Sequence, residues 1–256
     1  MADAWIDVAE LKQRLSSFFD SNHREFSRFG STVNQTFEAF VLAQVVSWYR
    51  QQPGWTVEPR NPRNDETNEE VFRLKFSTRG RPGNYSYFEC RGPDDVALHV
   101  RHQLRVATKW HRQQQHPAAN ICLDVAVIKA IELARLSTRD FVANDALVTF
   151  GEAKHMSAFA ELIAAFIGLV HELQPARLRR VRKAKLPPPR SITHPAPFLF
   201  VSGKLWATAD GLVQTIQRRS FDIDVYWSTS QLSSAIGLPT GGGPTSKSKQ
   251  TAQAGP

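Results

Sequence analysis

The chain has 256 residues, 41% of them hydrophobic, which is enough to bury the core of one large domain. Its 32 basic and 24 acidic residues give a formal net charge of +8, which favours polyanionic partners such as nucleic acid. Its two cysteines form no CxxC or zinc-ligand spacing, and no secretory signal or membrane span is recognisable. We therefore expect a reduced, cytoplasmic protein with no membrane partner.

The first half of the chain predicts helices followed by β structure. Apolar residues recur at helical spacing over residues 4–20, and a second helix is expected from about Asn34 to Gln51. The stretch GWTVEPR (54–60) is extended, and residues 69–92 are typical of a hairpin with its turn at Arg81-Pro82-Gly83-Asn84. Residues 94–117 fit either a long strand or an amphipathic helix, and we expect a helix.

The second half predicts alternating strands and helices. Apolar strands are expected at 120–130, 146–154, 196–206 and 220–227, with helices at 157–174 and 207–219 and an insertion at 130–145. This order predicts an α/β fold with a mixed central β-sheet flanked by helices. The expected domains are an N-terminal helical extension (1–30), a main domain (31–234) and a disordered Gly/Pro/Ser/Thr-rich tail (235–256).

Four charged residues lie in otherwise apolar elements. Glu152 and Lys154 alternate along one strand, so they should project side by side from the same face. Asp124 is flanked by apolar residues, where a lone carboxylate costs several kcal/mol unless it is paired, protonated or metal-bound. Glu38 lies next to the apolar face of its helix.

These charges predict a site in which the acids hold Mg²⁺ or Mn²⁺ and the lysine acts beside the metal on a phosphodiester. Each residue also has a simpler interpretation. Glu152 and Lys154 could form a surface ion pair, Asp124 could pair with an arginine, and Glu38 could reach solvent.

The arrangement of Glu38, Asp124 and Glu152-Ala153-Lys154 resembles the PD-(D/E)xK, or restriction-endonuclease-like, nuclease superfamily. The resemblance implies a restriction-endonuclease-like core over roughly Asn34–Trp227, with Asp124, Glu152 and Lys154 as catalytic residues. It also implies a metal shell of Asp124, Glu152, Glu38 and the Ala153 backbone carbonyl, and hydrolysis of DNA more often than RNA. Two features depart from the family pattern: Leu123 replaces its proline, and the gap from Asp124 to Glu152 is long.

A basic segment (residues 176–190) follows the helix after Lys154. It contains no acid and predicts an arm that contacts nucleic-acid phosphates, with these residues as candidate ligands: Arg177, Arg179, Arg180, Arg182, Lys183 and Lys185. The alternative is a solvated linker between helix and strand.

The sequence thus predicts a metal-dependent nuclease, most consistent by analogy with an effector of a prokaryotic anti-phage defence system. A partner protein from such a system and a homo-oligomer are also expected. Two alternatives stay open. One is a catalytically inactive subunit that keeps the fold to bind nucleic acid or to assemble, and the other is a metal-independent module whose charges form a buried ion network.

Overall fold

A computed structural model describes residues 33–77, 80–110, 119–130, 141–179, 194–219 and 221–227. The predicted helix at 4–20, the 1–30 extension, the 235–256 tail and residues 180–190 of the basic segment lie outside these ranges. None of the described helices is long and apolar enough to cross a membrane.

The described chain forms one mixed sheet whose seven strands neighbour each other in chain order. Its strands are β1 (Thr56–Arg60), β2 (Tyr87–Arg91), β3 (Ala97–Ala107), β4 (Asn120–Lys129), β5 (Leu147–Lys154), β6 (Phe198–Val201) and β7 (Asp224–Tyr226). Strands β1 to β5 pair antiparallel, whereas β5, β6 and β7 pair parallel.

Within the described ranges, three α-helices flank the sheet. They are α1 (Val33–Gln51), α2 (Ala160–Leu173) and α3 (Ala207–Arg219). Helices α2 and α3 are the crossovers that parallel pairing of β5, β6 and β7 requires. Buried side chains of α1 belong to one hydrophobic cluster and those of α2 and α3 to another, so the sheet is covered on both faces. The predicted mixed sheet flanked by helices is confirmed.

The prediction of a helix after residue 94 is wrong, because Ala97–Ala107 forms β3, the longest strand of the sheet. Arginine and histidine side chains interrupt the apolar alternation of this strand. The resulting mixture of polar and apolar residues is also typical of an amphipathic helix. The strand lies between β2 and β4, where Arg101 and His102 are both buried.

The predicted hairpin over 69–92 is also wrong. Strand β2 pairs with β1, which precedes it by a long excursion, and the expected turn is a 3-10 helix at Pro82–Asn84. Residues 71–76 form no strand, although Phe72 and Leu74 pack into the core. Their apolar alternation reflects this packing and not a strand ladder.

Candidate active site

The site is built where β4 and β5 separate. Their backbone pairing extends to Val125 and Gly151, and Asp124 is the next residue of β4 beyond that pair. The buried Asp124 carboxylate accepts a hydrogen bond through Oδ2 from the Ala153 backbone N–H at 2.9 Å. The side chain of β4 thus continues the connection to β5 after the backbone ladder has ended.

Lys154 links the two carboxylates. Its Nζ donates to Asp124 Oδ2 at 2.8 Å and lies 3.0 Å from Glu152 Oε2. Asp124, Glu152 and Lys154, here called the carboxylate–lysine site, are therefore in direct contact. Two carboxylates share one ammonium, so the site carries a formal negative charge when all three groups are ionised.

The protonation of this site reflects its burial. Burial raises the pKa of Glu152 well above its ordinary value, and the neighbouring Asp124 charge adds to this, while Lys154 opposes it. Burial lowers the pKa of Lys154, but the Glu152 and Asp124 carboxylates outweigh it, so the net shift is upward. The ammonium therefore stays charged, and without further positive charge Glu152 tends to take up a proton.

Glu38 reaches the site through an intermediary. Its Oε2 accepts a hydrogen bond from Gln103 Nε2 at 2.9 Å and lies 3.2 Å from His102 Nε2. The same Gln103 nitrogen donates to Asp124 Oδ1 at 3.2 Å. One amide thus bridges the carboxylate of α1 and that of β4.

Gln103 is the site residue that the sequence analysis missed. It has a left-handed backbone, with φ of 52°, in the middle of β3, and the buried Lys75 donates to its carbonyl at 2.9 Å. Side chains two apart normally share a face, but Leu98 packs in the cluster with α1 and Leu104 packs in the cluster with α2 and α3. The left-handed residue accompanies this exchange of faces and turns its amide toward Asp124.

The described residues contain no group of three or more His, Cys, Asp or Glu side chains placed to hold a divalent metal ion. Mg²⁺, however, usually takes only one or two protein carboxylates, with water and substrate phosphate completing its shell. Glu152 Oε1 is buried and has no hydrogen-bond partner among the described residues, as expected of an oxygen that a cation could satisfy. Asp124 and Glu152 therefore fit such an ion.

The basic segment is only partly described. Arg177 forms an ion pair with Asp222, whose backbone N–H also donates to the Arg177 carbonyl at 2.8 Å. Arg179 is exposed. The remaining predicted contacts lie outside the described ranges: Arg180, Arg182, Lys183 and Lys185.

The fold and this geometry define a mixed α/β protein with a carboxylate–lysine site where two central strands separate.

No protein-family model matches the chain, and no curated protein matches it. Two solved structures are weakly similar. NucC of P. aeruginosa ATCC27853 in its cAAA-bound form has 12% identity and a TM-score of 0.31, covering 84% of this chain and 73% of its own. NucC of E. coli MS115-1, also cAAA-bound, has 12% identity and a TM-score of 0.29, covering 83% of this chain and 67% of its own.

Proposed function

We propose that the protein is a metal-dependent nuclease that hydrolyses phosphodiester bonds at the carboxylate–lysine site. The observation that carries the proposal is the convergence of Asp124, Glu152 and Lys154. Lys154 contacts both carboxylates, and one buried Glu152 oxygen has no hydrogen-bond partner among the described residues. Buried charges of this kind are expensive and accumulate where chemistry needs them.

Each residue has a distinct role in this proposal. Asp124 and Glu152 would hold Mg²⁺ or Mn²⁺, with Glu38 supporting Asp124 through Gln103 and the Ala153 carbonyl as a further candidate ligand. The ion, when bound, would supply positive charge against the scissile phosphate. Lys154 would donate to a phosphate oxygen or orient the attacking water, and its charge would stabilise the negative charge that develops in the transition state. Ala153 would hold Asp124 in place through its N–H.

The net charge of +8 supports a nucleic-acid substrate. We propose DNA and not RNA as the substrate only because the chain resembles the PD-(D/E)xK superfamily. The same resemblance underlies the proposed place in an anti-phage defence system, and with it a partner protein, a homo-oligomeric assembly and a cytoplasmic location.

The test is cleavage of supercoiled plasmid and of single-stranded DNA and RNA with Mg²⁺, with Mn²⁺ or with EDTA. We expect wild-type cleavage only with metal and a loss of about 100-fold or more in Glu152→Gln and Lys154→Met. The matched control is Glu66→Gln, which removes an exposed carboxylate that is distant in sequence from Asp124, Glu152 and Lys154. This variant should cut the substrates as the wild type does. A wild type that binds nucleic acid but cuts none of the substrates would favour the inactive-subunit alternative. Cleavage that survives both site substitutions would exclude this site.

A further inference from the structure

Two large apolar side chains are exposed among the described residues. Trp206 is 54% exposed and Phe159 is 39% exposed, whereas the other large apolar side chains there are more buried. They precede α3 and α2 directly, at the ends of the loops that leave β6 and β5. Aromatic side chains, tryptophan above all, are enriched at binding surfaces, so these two positions are candidates for a ligand contact.

The two loops are hydrogen-bonded side by side, so Phe159 and Trp206 occupy adjacent positions on them. The Ala158 N–H donates to the Lys204 carbonyl, and the Trp206 N–H donates to the Ala158 carbonyl, both at 2.9 Å. Ala158 and Leu205 form a parallel bridge, and both pack into the cluster under α2 and α3. Since side chains alternate along extended chain, the next residue of each loop points outward.

Lys204 completes this surface. It lies two residues before Trp206 on the same extended loop, and its Nζ is 4.8 Å from the centre of the indole ring. Lys204 is exposed and its ammonium lies over one face of the indole, so a base that stacks on the opposite face meets a ring already in contact with a positive charge. We call Phe159, Trp206 and Lys204 the aromatic platform.

The platform lies close to the carboxylate–lysine site. Lys154 pairs with Val201 of β6, and its carbonyl accepts a hydrogen bond from the Ser202 N–H at 3.1 Å. Phe159 lies five residues after Lys154, which limits the separation of their Cα atoms to about 18 Å. At a rise of about 3.4 Å per stacked nucleotide, this distance is about five nucleotides or fewer.

We propose that the aromatic platform stacks against unpaired bases of the nucleic acid cut at the neighbouring site, so the preferred substrate is single-stranded or locally opened. The inference rests on the proposed nuclease function. Aromatic side chains stack on any base, but the bases of an intact duplex are already stacked on one another. The acidic Glu161 and Asp210 lie in the first turns of α2 and α3 and oppose phosphate, so at the platform itself stacking on the rings contributes more affinity than contacts to phosphate.

The test measures binding without cleavage. The full-length protein is titrated in EDTA against a fluorescently labelled single-stranded oligonucleotide and against the duplex of the same sequence. Trp206→Ala should weaken single-strand binding about 5- to 150-fold, the range for loss of one stacked base, with much less effect on the duplex. Trp206→Phe keeps an aromatic face and should retain most of the affinity. Lys204→Gln should lower the slope of log affinity against log salt by about 0.7, whereas Trp206→Ala should leave it unchanged.

The outcomes separate this proposal from the nuclease proposal. Unchanged single-strand affinity in Trp206→Ala overturns it, as does an equal loss on single strand and duplex. A change of molar mass by light scattering in Trp206→Ala overturns it in favour of an interface between two copies of the chain. If the wild type binds single strands through Trp206 but cuts nothing, the platform stands and the nuclease proposal fails. If it cuts normally after Trp206→Ala and Phe159→Ala with unchanged strand preference, the platform fails and the nuclease proposal stands.

Discussion

The Asp124 side chain provides the hydrogen-bond acceptor for the Ala153 backbone N–H, at 2.9 Å, immediately beyond the last backbone pair between β4 and β5. Asp124 therefore has two duties. It carries charge for the site, and it satisfies a buried donor of the strand that bears Glu152 and Lys154. A substitution that removes only the charge has to be distinguished from one that also removes the acceptor.

Asp124→Asn and Asp124→Ala make this distinction. Asparagine keeps a carbonyl oxygen for the Ala153 N–H and removes the repulsion with Glu152, so we expect it to melt within a few degrees of the wild type in EDTA. Alanine leaves the N–H without an acceptor and should cost about 1–3 kcal/mol. Thermal melts in EDTA measure both. A large loss in the asparagine variant would mean that the carboxylate belongs to a structural ion network.

Melts with added metal test the metal site directly. A metal ion that binds the folded but not the unfolded protein should stabilise the wild type by about 1.4 kcal/mol at a metal concentration of ten times Kd. This corresponds to a rise in Tm of roughly 3–6 °C for a chain of this size. Asp124→Asn removes one ligand and should lose most of the rise, as should Glu152→Gln. The same melts are repeated with millimolar Mg²⁺ and Mn²⁺. A wild type whose Tm does not respond to either ion contradicts the predicted metal site.

Gln103 gives a prediction that is independent of catalysis. Its amide nitrogen donates to Glu38 and to Asp124, so Gln103→Glu would place a third carboxylate between two others. We expect a loss of about 1–3 kcal/mol near neutral pH. Repulsion raises the pKa of the introduced carboxyl in the folded state above its value in the unfolded chain. The folded state then binds more protons, so the deficit should shrink as the pH falls from about 8 to about 5.

Gln103→Leu is the matched control, because it removes the amide without adding charge. Its deficit relative to the wild type should not shrink in the same way on acidification. Urea unfolding of the wild type and both variants at the two pH values makes the comparison. Parallel pH dependence of the two variants would show that the amide does not lie between the carboxylates as described.

Gln103 also illustrates what the sequence could not predict. The strands β4 and β5, the helices α1, α2 and α3, and the charged residues in them follow from apolar periodicity, because each is a regular element with a clear pattern. Strand β3 breaks that pattern. It buries Arg101 and His102 and switches faces around Gln103, so its residues fit a helix better than a strand.

The pairing of β1 with β2 was equally hidden from the sequence. The residues between them alternate like a strand because Phe72 and Leu74 pack into the core, yet the ladder forms with a segment much earlier in the chain. Packing and pairing give the same local pattern, and only the tertiary structure separates them. The bridge from Glu38 to Asp124 depends on Gln103 and on the exchange of faces in β3, and therefore could not be predicted either.

The basic segment can be tested although most of it lies outside the described residues. Replacing Arg179, Arg180, Arg182 and Lys183 together by Gln should weaken binding to duplexes of any sequence. If all four contact phosphates, the slope of log affinity against log salt should fall by about 0.9 per residue, or roughly 3–4 in total. Binding titrations over a range of salt concentrations measure the slope, and an unchanged slope would identify the segment as a solvated linker.

Arg177 is the matched control for the arm. It already pairs with Asp222 and connects the end of α2 to the segment before β7. Arg177→Gln should therefore lower the free energy of unfolding by about 1 kcal/mol or less and leave the salt dependence of binding unchanged. If Arg177→Gln alone lowered the slope of log affinity against log salt by about 0.9, the value expected for each residue of the arm, Arg177 would be one of the phosphate contacts.

The last prediction concerns Gly151, which precedes Glu152 in β5. Gly151 pairs in register with Phe198 of β6, and a Cβ added to this glycine would overlap the Phe198 ring. Phe198 is 2% exposed and packs against Tyr226 with ring centres 6.0 Å apart, so its ring has little room to move. Gly151→Ala should therefore cost about 1–3 kcal/mol through overpacking.

Phe198→Leu tests this cause. Alone it should cost about 1–2 kcal/mol, because it leaves space in the core. Combined with Gly151→Ala it should cost less than the sum of the two, by about 1 kcal/mol, since the added methyl occupies the space that the ring has left. Urea unfolding of the four proteins measures this coupling. Additive costs would mean that the ring does not restrict Gly151. Because Glu152 follows directly in the strand, cleavage by Gly151→Ala should also fall, and the double variant should recover part of it.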